Sequence, residues 1–293
     1  MGSSALSWGI RGLSLLVLCL VQVIGSEPGI STTGLALLLL VLGIPHGAAD
    51  HLIFRARHPE RQWQGQRWKF LGFYSLLVVL YGLLWHAFPA VAFLVFLAVS
   101  VYHFGQSYGE GGMASQLAWG SFVLLFPVVL HYPEAAPIIE RMVGATLAIS
   151  EPERIIVCGM LIAANVALPL WKGTEQRATG QEIARRLLDL ALLTALYLST
   201  DLLLGFGLFF LLWHSVPAAA AQWRYLHRRT VVVDVRGYLR ELLPLTLGAV
   251  GTLGGLYLWI AGGRGAQIDL GVVFMLVSLI TLPHALLIDR VYR

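Results

Sequence analysis

Ten apolar runs of about twenty residues each follow one another along this chain, near 8–25, 32–54, 70–87, 89–107, 114–132, 154–171, 184–200, 201–217, 240–260 and 268–288. About 20 residues of α-helix cross a hydrocarbon core of roughly 30 Å. Backbone in lipid must satisfy its own hydrogen bonds, so only helices or a closed barrel can cross. Outer-membrane barrels show short alternating segments, and these runs do not alternate. Only 12% of the residues are charged, against roughly 25% in a soluble domain. The chain lacks the polar surface to cover a soluble core. An all-α, polytopic membrane helical bundle is expected, as a single integral membrane domain over 1–293. His86-Ala87-Phe88-Pro89 barely divides the third and fourth runs, and Thr200-Asp201 the seventh and eighth. Eight to ten spans are therefore expected, with ten fitting best. The first run is read as a retained span, because no clear small-residue cleavage site follows it.

Basic residues set the expected orientation. Arg55, Arg57, Arg61, Arg67 and Lys69 form one cluster, and Lys172, Arg177, Arg185 and Arg186 another. Arg224, Arg228, Arg229, Arg236 and Arg240 form a third. With Arg11, Arg290 and Arg293, 17 of the 20 Lys and Arg fall on one side of a ten-span chain, leaving Arg141, Arg154 and Arg264 opposite. The positive-inside rule then puts both termini in the cytoplasm of a multi-pass inner or plasma membrane protein. The net charge of +4 needs no nucleic acid, since no recognition motif accompanies it. Anionic lipid headgroups are the expected partners. The longest polar linkers are expected at 55–69 and 218–240, and a short interfacial helix at 137–149. Cys19 and Cys158 have neither CxxC partners nor zinc-ligand spacing.

Four histidines lie inside apolar runs: His46, His103, His214 and His284. An imidazole in hydrocarbon is costly unless paired or ligated. In the ten-span reading each sits toward the cytoplasmic end of an inward-running span. His46, for instance, is nine residues before Arg55, roughly 13 Å along a helix. A shared depth on four separate spans points to a metal site. An all-nitrogen set suits iron, zinc, copper or nickel, and not calcium or magnesium. The plain alternative for each histidine is a hydrogen bond to a neighbouring helix.

Asp50, four residues after His46, needs a partner in lipid. It could accept a proton from a ligating imidazole, ligate directly, or form a structural pair. His51 is a reserve ligand nearer the interface. Gly43 and Gly47 flank His46 and allow close approach of a helix or ligand. Tyr102 and Gln106 flank His103 and could contact a substrate. Phe104, Phe209, Phe210, Trp213 and Tyr257 are candidates for an apolar tunnel. His58, His86, His131 and His227 lie near loops or span ends, where ordinary interfacial placement is expected.

The run Gly43-Ile44-Pro45-His46-Gly47-Ala48-Ala49-Asp50-His51 resembles the PHGxxD signature of the Brp/Blh family of β-carotene 15,15′-dioxygenases. Tyr102-His103-Phe104-Gly105-Gln106 resembles that family's second motif, Trp213-His214-Ser215 the start of its third, and Leu282-Pro283-His284 its late Pro-His element. The matches run in order over nearly the whole chain. The resemblance implies a multi-span enzyme using ferrous iron, Fe(2+), and dioxygen to cleave β-carotene centrally into two retinals. His46, His103 and His214 then carry over as iron ligands, and a microbial rhodopsin would receive the retinal. The family's third motif carries a second histidine four residues on, where this chain has Ala218. His284 or His51 would complete the sphere, or the protein would supply three ligands.

Three other functions fit parts of the pattern. One is an oxygenase acting on another isoprenoid or lipid, separable only by product analysis. Another is a metal or small-molecule transporter, suggested by prolines 45, 217 and 283 in broken helices but lacking repeated halves. The last is a non-catalytic carotenoid- or retinal-binding membrane protein, which would copurify with intact pigment and no metal.

Overall fold

Helices alone make up the regular structure of the described residues. The computed structural model describes residues 2–24, 34, 41–57, 63–106, 112–145, 147–175, 178–231, 234–261 and 268–288. The helices are α1 (Gly2–Ile24), α2 (Asp50–Arg57), α3 (Trp63–Ala87), α4 (Pro89–Gln106), α5 (Gly112–Leu130), α6 (Tyr132–Val143), α7 (Glu151–Thr174), α8 (Gly180–Ser199), α9 (Leu202–Leu208), α10 (Val216–Arg228), α11 (Val235–Ala261) and α12 (Leu270–Ile288). A 3-10 segment covers Ile44–Ala49 and a π-helical segment Phe209–Ser215. Seven stretches of the described residues are long and apolar enough to cross a membrane: Arg67–Ala87, Pro89–Gln106, Gly112–Leu130, Glu151–Thr174, Leu202–Arg228, Val235–Ile260 and Leu270–Ile288. Within α1 the apolar part, Ala5–Leu20, is shorter, and α8 carries Glu182, Arg185, Arg186 and Asp189. The chain is thus an all-α polytopic membrane protein.

Several boundaries differ from expectation for physical reasons. The run at 32–54 is no continuous α-helix, because its backbone tightens to 3-10 geometry over Ile44–Ala49. Pro45 lacks an N–H, and Gly43 and Gly47 add little helix propensity. Residues 32, 33 and 35–40 of that run lie outside the described residues, as do His58, Arg61, Arg264, Arg290 and Arg293. The linker expected from 218 is helical as far as Arg228, since the π segment passes straight into α10 and Pro217 sits where the helix tolerates it. Pro283 lies inside α12, which runs on to Ile288. Where a short helix is expected over 137–149, α6 covers Tyr132–Val143, and residues 147–150 are not helical. Phe88 alone separates α3 from α4.

The chain divides into two units: residues 1–43, 101–135 and 148–217, and residues 44–100, 136–147 and 218–293. In the first, α5 packs along α7, and α1 and α7 each lie against α8. Its core is aromatic: Phe122, Phe126 and Tyr197 meet with ring centroids 5.1–6.3 Å apart. The Tyr197 hydroxyl donates to the Val123 carbonyl at 3.1 Å. The end of α4 approaches α5 backbone to backbone. A Cβ on Gly105 would strike the Gln116 carbonyl, and one on Gly120 the Val101 carbonyl. Two glycines thereby bring His103 against its neighbouring helix. Arg11 of α1 is buried on Asp189 of α8 by two bonds of 2.6 and 2.9 Å, so it is no loop charge.

In the second unit α12 packs on α3. Trp85 Nε1 donates to Ser278 Oγ at 2.8 Å, and the Tyr74 hydroxyl donates to the Ile280 carbonyl at 3.2 Å. A buried cluster of Ala49, Leu52, Ile53, Ala56, Leu226, Tyr238, Leu242 and Ile288 joins α2 to α10, α11 and α12.

Candidate metal centre

His214 sits near the end of the π segment. Asp201 caps α9 through the Leu204 N–H at 2.8 Å, and the helix then widens, with the Val216 N–H bonding back to Leu211. A five-residue step of this kind re-aims side chains and recurs at functional sites. His214 and His103 are both buried, and their rings meet edge-on at 4.9 Å. Phe104 lies edge-on to His214 at 4.7 Å, and Phe210 stacks on it at 5.7 Å. Phe206 and Phe209 complete the aromatic set around Phe104. A Cβ on Gly43 would run into the Phe210 ring and stand 2.9 Å from Ser215 Oγ, so only glycine fits there.

His46 occupies the 3-10 segment and is buried. Its ring meets that of His284 edge-on at 5.0 Å. His284 Nδ1 stands 2.8 Å from Asp50 Oδ1, both side chains being buried. With an ionised Asp50 the ring donates from Nδ1, and Nε2 then carries its lone pair. Asp50 is thus joined to the imidazole of α12. Gly47 faces the same ring at ordinary contact distance, 3.7 Å from a Cβ.

One nitrogen from each of His46, His103 and His214 lies within 4.8 Å of the other two. Three buried imidazole nitrogens suit a borderline transition metal such as iron or zinc, so the donor set fits the metal that the motifs imply. His284 is outside this trio. Ala218 is buried one turn beyond His214 and offers no donor atom. His51 has other neighbours: its Nδ1 is 2.9 Å from the Ala48 carbonyl and its Nε2 is 3.8 Å from Glu241. Gln106 is buried and Tyr102 half-buried, both on the last turn of α4.

The other sequence candidates have plainer surroundings. His86 is exposed, His131 Nε2 meets the Tyr197 carbonyl at 2.8 Å, and His227 stacks on Trp223 at 5.3 Å. Trp213 donates to Ser14 of α1 at 3.0 Å. The Tyr257 hydroxyl accepts from the Asp269 N–H at 2.9 Å. Phe206 was not singled out from the sequence, although its spacing of three and four from Phe209 and Phe210 places all three on adjoining turns.

A family model described as Beta-carotene 15,15'-dioxygenase matches residues 37–292. A Beta-carotene 15,15'-dioxygenase of an uncultured marine bacterium, 66A03, is 24% identical over 263 residues, spanning 87% of this chain and 92% of that protein. A probable beta-carotene 15,15'-dioxygenase, Blh, of Halobacterium salinarum is 25% identical over 329 aligned positions, spanning 98% of this chain and 92% of that one. No solved structure matches.

Proposed function

The chain belongs to the beta-carotene 15,15'-dioxygenase family, and on that premise we propose that it is an iron- and dioxygen-dependent membrane enzyme that cleaves β-carotene centrally to retinal. The observation that carries this reading is the buried trio His46, His103 and His214, each drawn from a segment that resembles a family motif. Ferrous iron bound by these three nitrogens would supply dioxygen activation. The protein's part is positioning and exclusion of water. Phe104, Phe206, Phe209 and Phe210 offer apolar ring faces beside His103 and His214, suited to a lipid-soluble polyene. Asp50 holds the His284 ring in one orientation and keeps its Nδ1 proton. Tyr102 and Gln106 are proposed to touch the substrate, and retinal would pass to a microbial rhodopsin. A second reading, oxygenation of a different isoprenoid or lipid, is favoured by Ala218, which replaces a nitrogen donor with a methyl group.

The test combines elemental analysis with chromatography of aerobic reactions on β-carotene. Retinal should form in proportion to bound iron. Intact β-carotene, despite full iron occupancy and demonstrated substrate binding, would overturn the assignment of β-carotene cleavage. We further propose ten crossings with both termini in the cytoplasm. A C-terminal reporter should then be active only in its cytoplasmic form, and activity of a periplasm-dependent reporter would reverse the topology.

A further inference from the structure

The last two turns of α10 carry Arg224 and Arg228, four residues apart and so on one face, with Arg229 following at the helix end. These three line an open cleft of about 300 Å³ together with Ala221 and Tyr225, and no acidic residue lines it. Arg224 is half-buried and Arg228 exposed. Arg229 is held in place: its guanidinium covers the Tyr225 ring at 4.7 Å and donates to the Ala56 carbonyl at 3.2 Å. That last bond brings the cleft beside α2, whose final turn carries Arg55 and Arg57 outside the cleft's own lining. The helix C-terminus offsets only about half an elementary charge, so the cleft stays strongly positive.

The cleft is also built on a firm base. The Val231 N–H bonds back to the Leu226 carbonyl at 3.1 Å and the Thr230 N–H to the His227 carbonyl at 3.1 Å. Thr230 takes a left-handed φ of 55° to close this cap, the arrangement that usually ends a helix at glycine. Leu226 beneath is fully buried in the cluster with Ile53, Ala56 and Leu242, and Val231 packs on it. The cleft lies at the end of the apolar stretch Leu202–Arg228, which is long enough to cross a membrane. Tyr225 lines the cleft, and Trp223 packs on the buried cluster from the same helix, as aromatic side chains do at headgroup depth.

We propose that this cleft binds the phosphodiester headgroup of an anionic membrane phospholipid. The shared chemistry is a phosphate oxygen meeting planar guanidinium forks. A membrane lipid is the favoured source over free phosphate, because the cleft lies where headgroups are dense and its aromatic lining suits the glycerol and acyl boundary. The inference is independent of the metal reading and uses none of its residues.

Native mass spectrometry of the whole chain in detergent tests it, with titrations of phosphatidylglycerol, phosphatidylcholine and inorganic phosphate. The wild type should retain phosphatidylglycerol and not phosphatidylcholine. The variant R224Q/R228Q should bind phosphatidylglycerol roughly thirtyfold more weakly, from about a factor of five for each basic residue near the surface. R224K/R228K, which keeps the charge but not the planar fork, should recover only part of that loss. If R224Q/R228Q does not fold, Arg228→Gln alone changes an exposed side chain and should weaken binding about fivefold. Equal retention of both lipids by the wild type, or unchanged phosphatidylglycerol binding in the glutamine variants, overturns the proposal. Displacement of the lipid by millimolar inorganic phosphate also overturns it and reassigns the cleft to a soluble anion.

Discussion

Alanine at His46, His103 or His214 is expected to lower iron affinity by more than about a hundredfold, because residues that merely support a ligand already contribute 10–100-fold. Each offers one nitrogen of a set lying within 4.8 Å, and two remaining imidazoles hold a divalent ion weakly. The three substitutions should act alike although they fall in the 3-10 segment, the end of α4 and the π segment. Equal losses from three unrelated local structures are hard to reconcile with incidental packing. His284→Ala should cost less, within the range of a supporting residue, since His284 stands outside the trio and is tied to Asp50 at 2.8 Å. Elemental analysis of purified variants with helical content equal to wild type reads the effect. Wild-type stoichiometry in all three single variants would dismiss the metal site. A loss in His284→Ala as large as the others would make it a fourth ligand.

The ligand candidates were legible because lipid makes polarity conspicuous. A histidine in an apolar run has few bland explanations, and each of the four is buried. The partner of Asp50 was not legible. Spacing along the chain offered His46, four residues away, whereas the bond goes to His284, 234 positions on, and no single sequence encodes such a pairing. The π segment escaped for a related reason. Phe209–Ser215 has ordinary helical composition, and the widening depends on how its rings pack. The 3-10 segment was half visible, since Pro45 between two glycines weakens an α-helix without saying what replaces it. The apolar lengths foretold most of the long helices. They misjudged the linker after 217 because amphipathic α10 continues an apolar helix into basic residues, and hydropathy reads that continuation as a loop. Arg11 was misread in the same way: one charge at the start of an apolar run looks like a flank until its carboxylate is found on another helix.

Breaking that pair is expected to be the most destabilising single change outside the metal centre. Arg11 and Asp189 are 7% and 5% exposed, and the guanidinium meets both carboxylate oxygens, at 2.6 and 2.9 Å. Removing one partner leaves the other charge buried, which typically costs about 3–5 kcal/mol. Arg11→Ala and Asp189→Ala should therefore each lower stability by that amount in detergent unfolding. Replacing both, as Arg11→Met with Asp189→Leu, should restore most of it, because an apolar pair needs no desolvation. Additive losses in the double variant would show that the two charges act separately. The pair does more than join α1 to α8. The family match begins at residue 37, so α1 lies outside it, yet Ser14 of α1 accepts the Trp213 indole hydrogen bond at 3.0 Å. Trp213 immediately precedes His214. Loosening α1 should thus free the tryptophan next to a metal ligand, and the single variants should lose iron more readily than the Met/Leu double variant as well as unfold sooner.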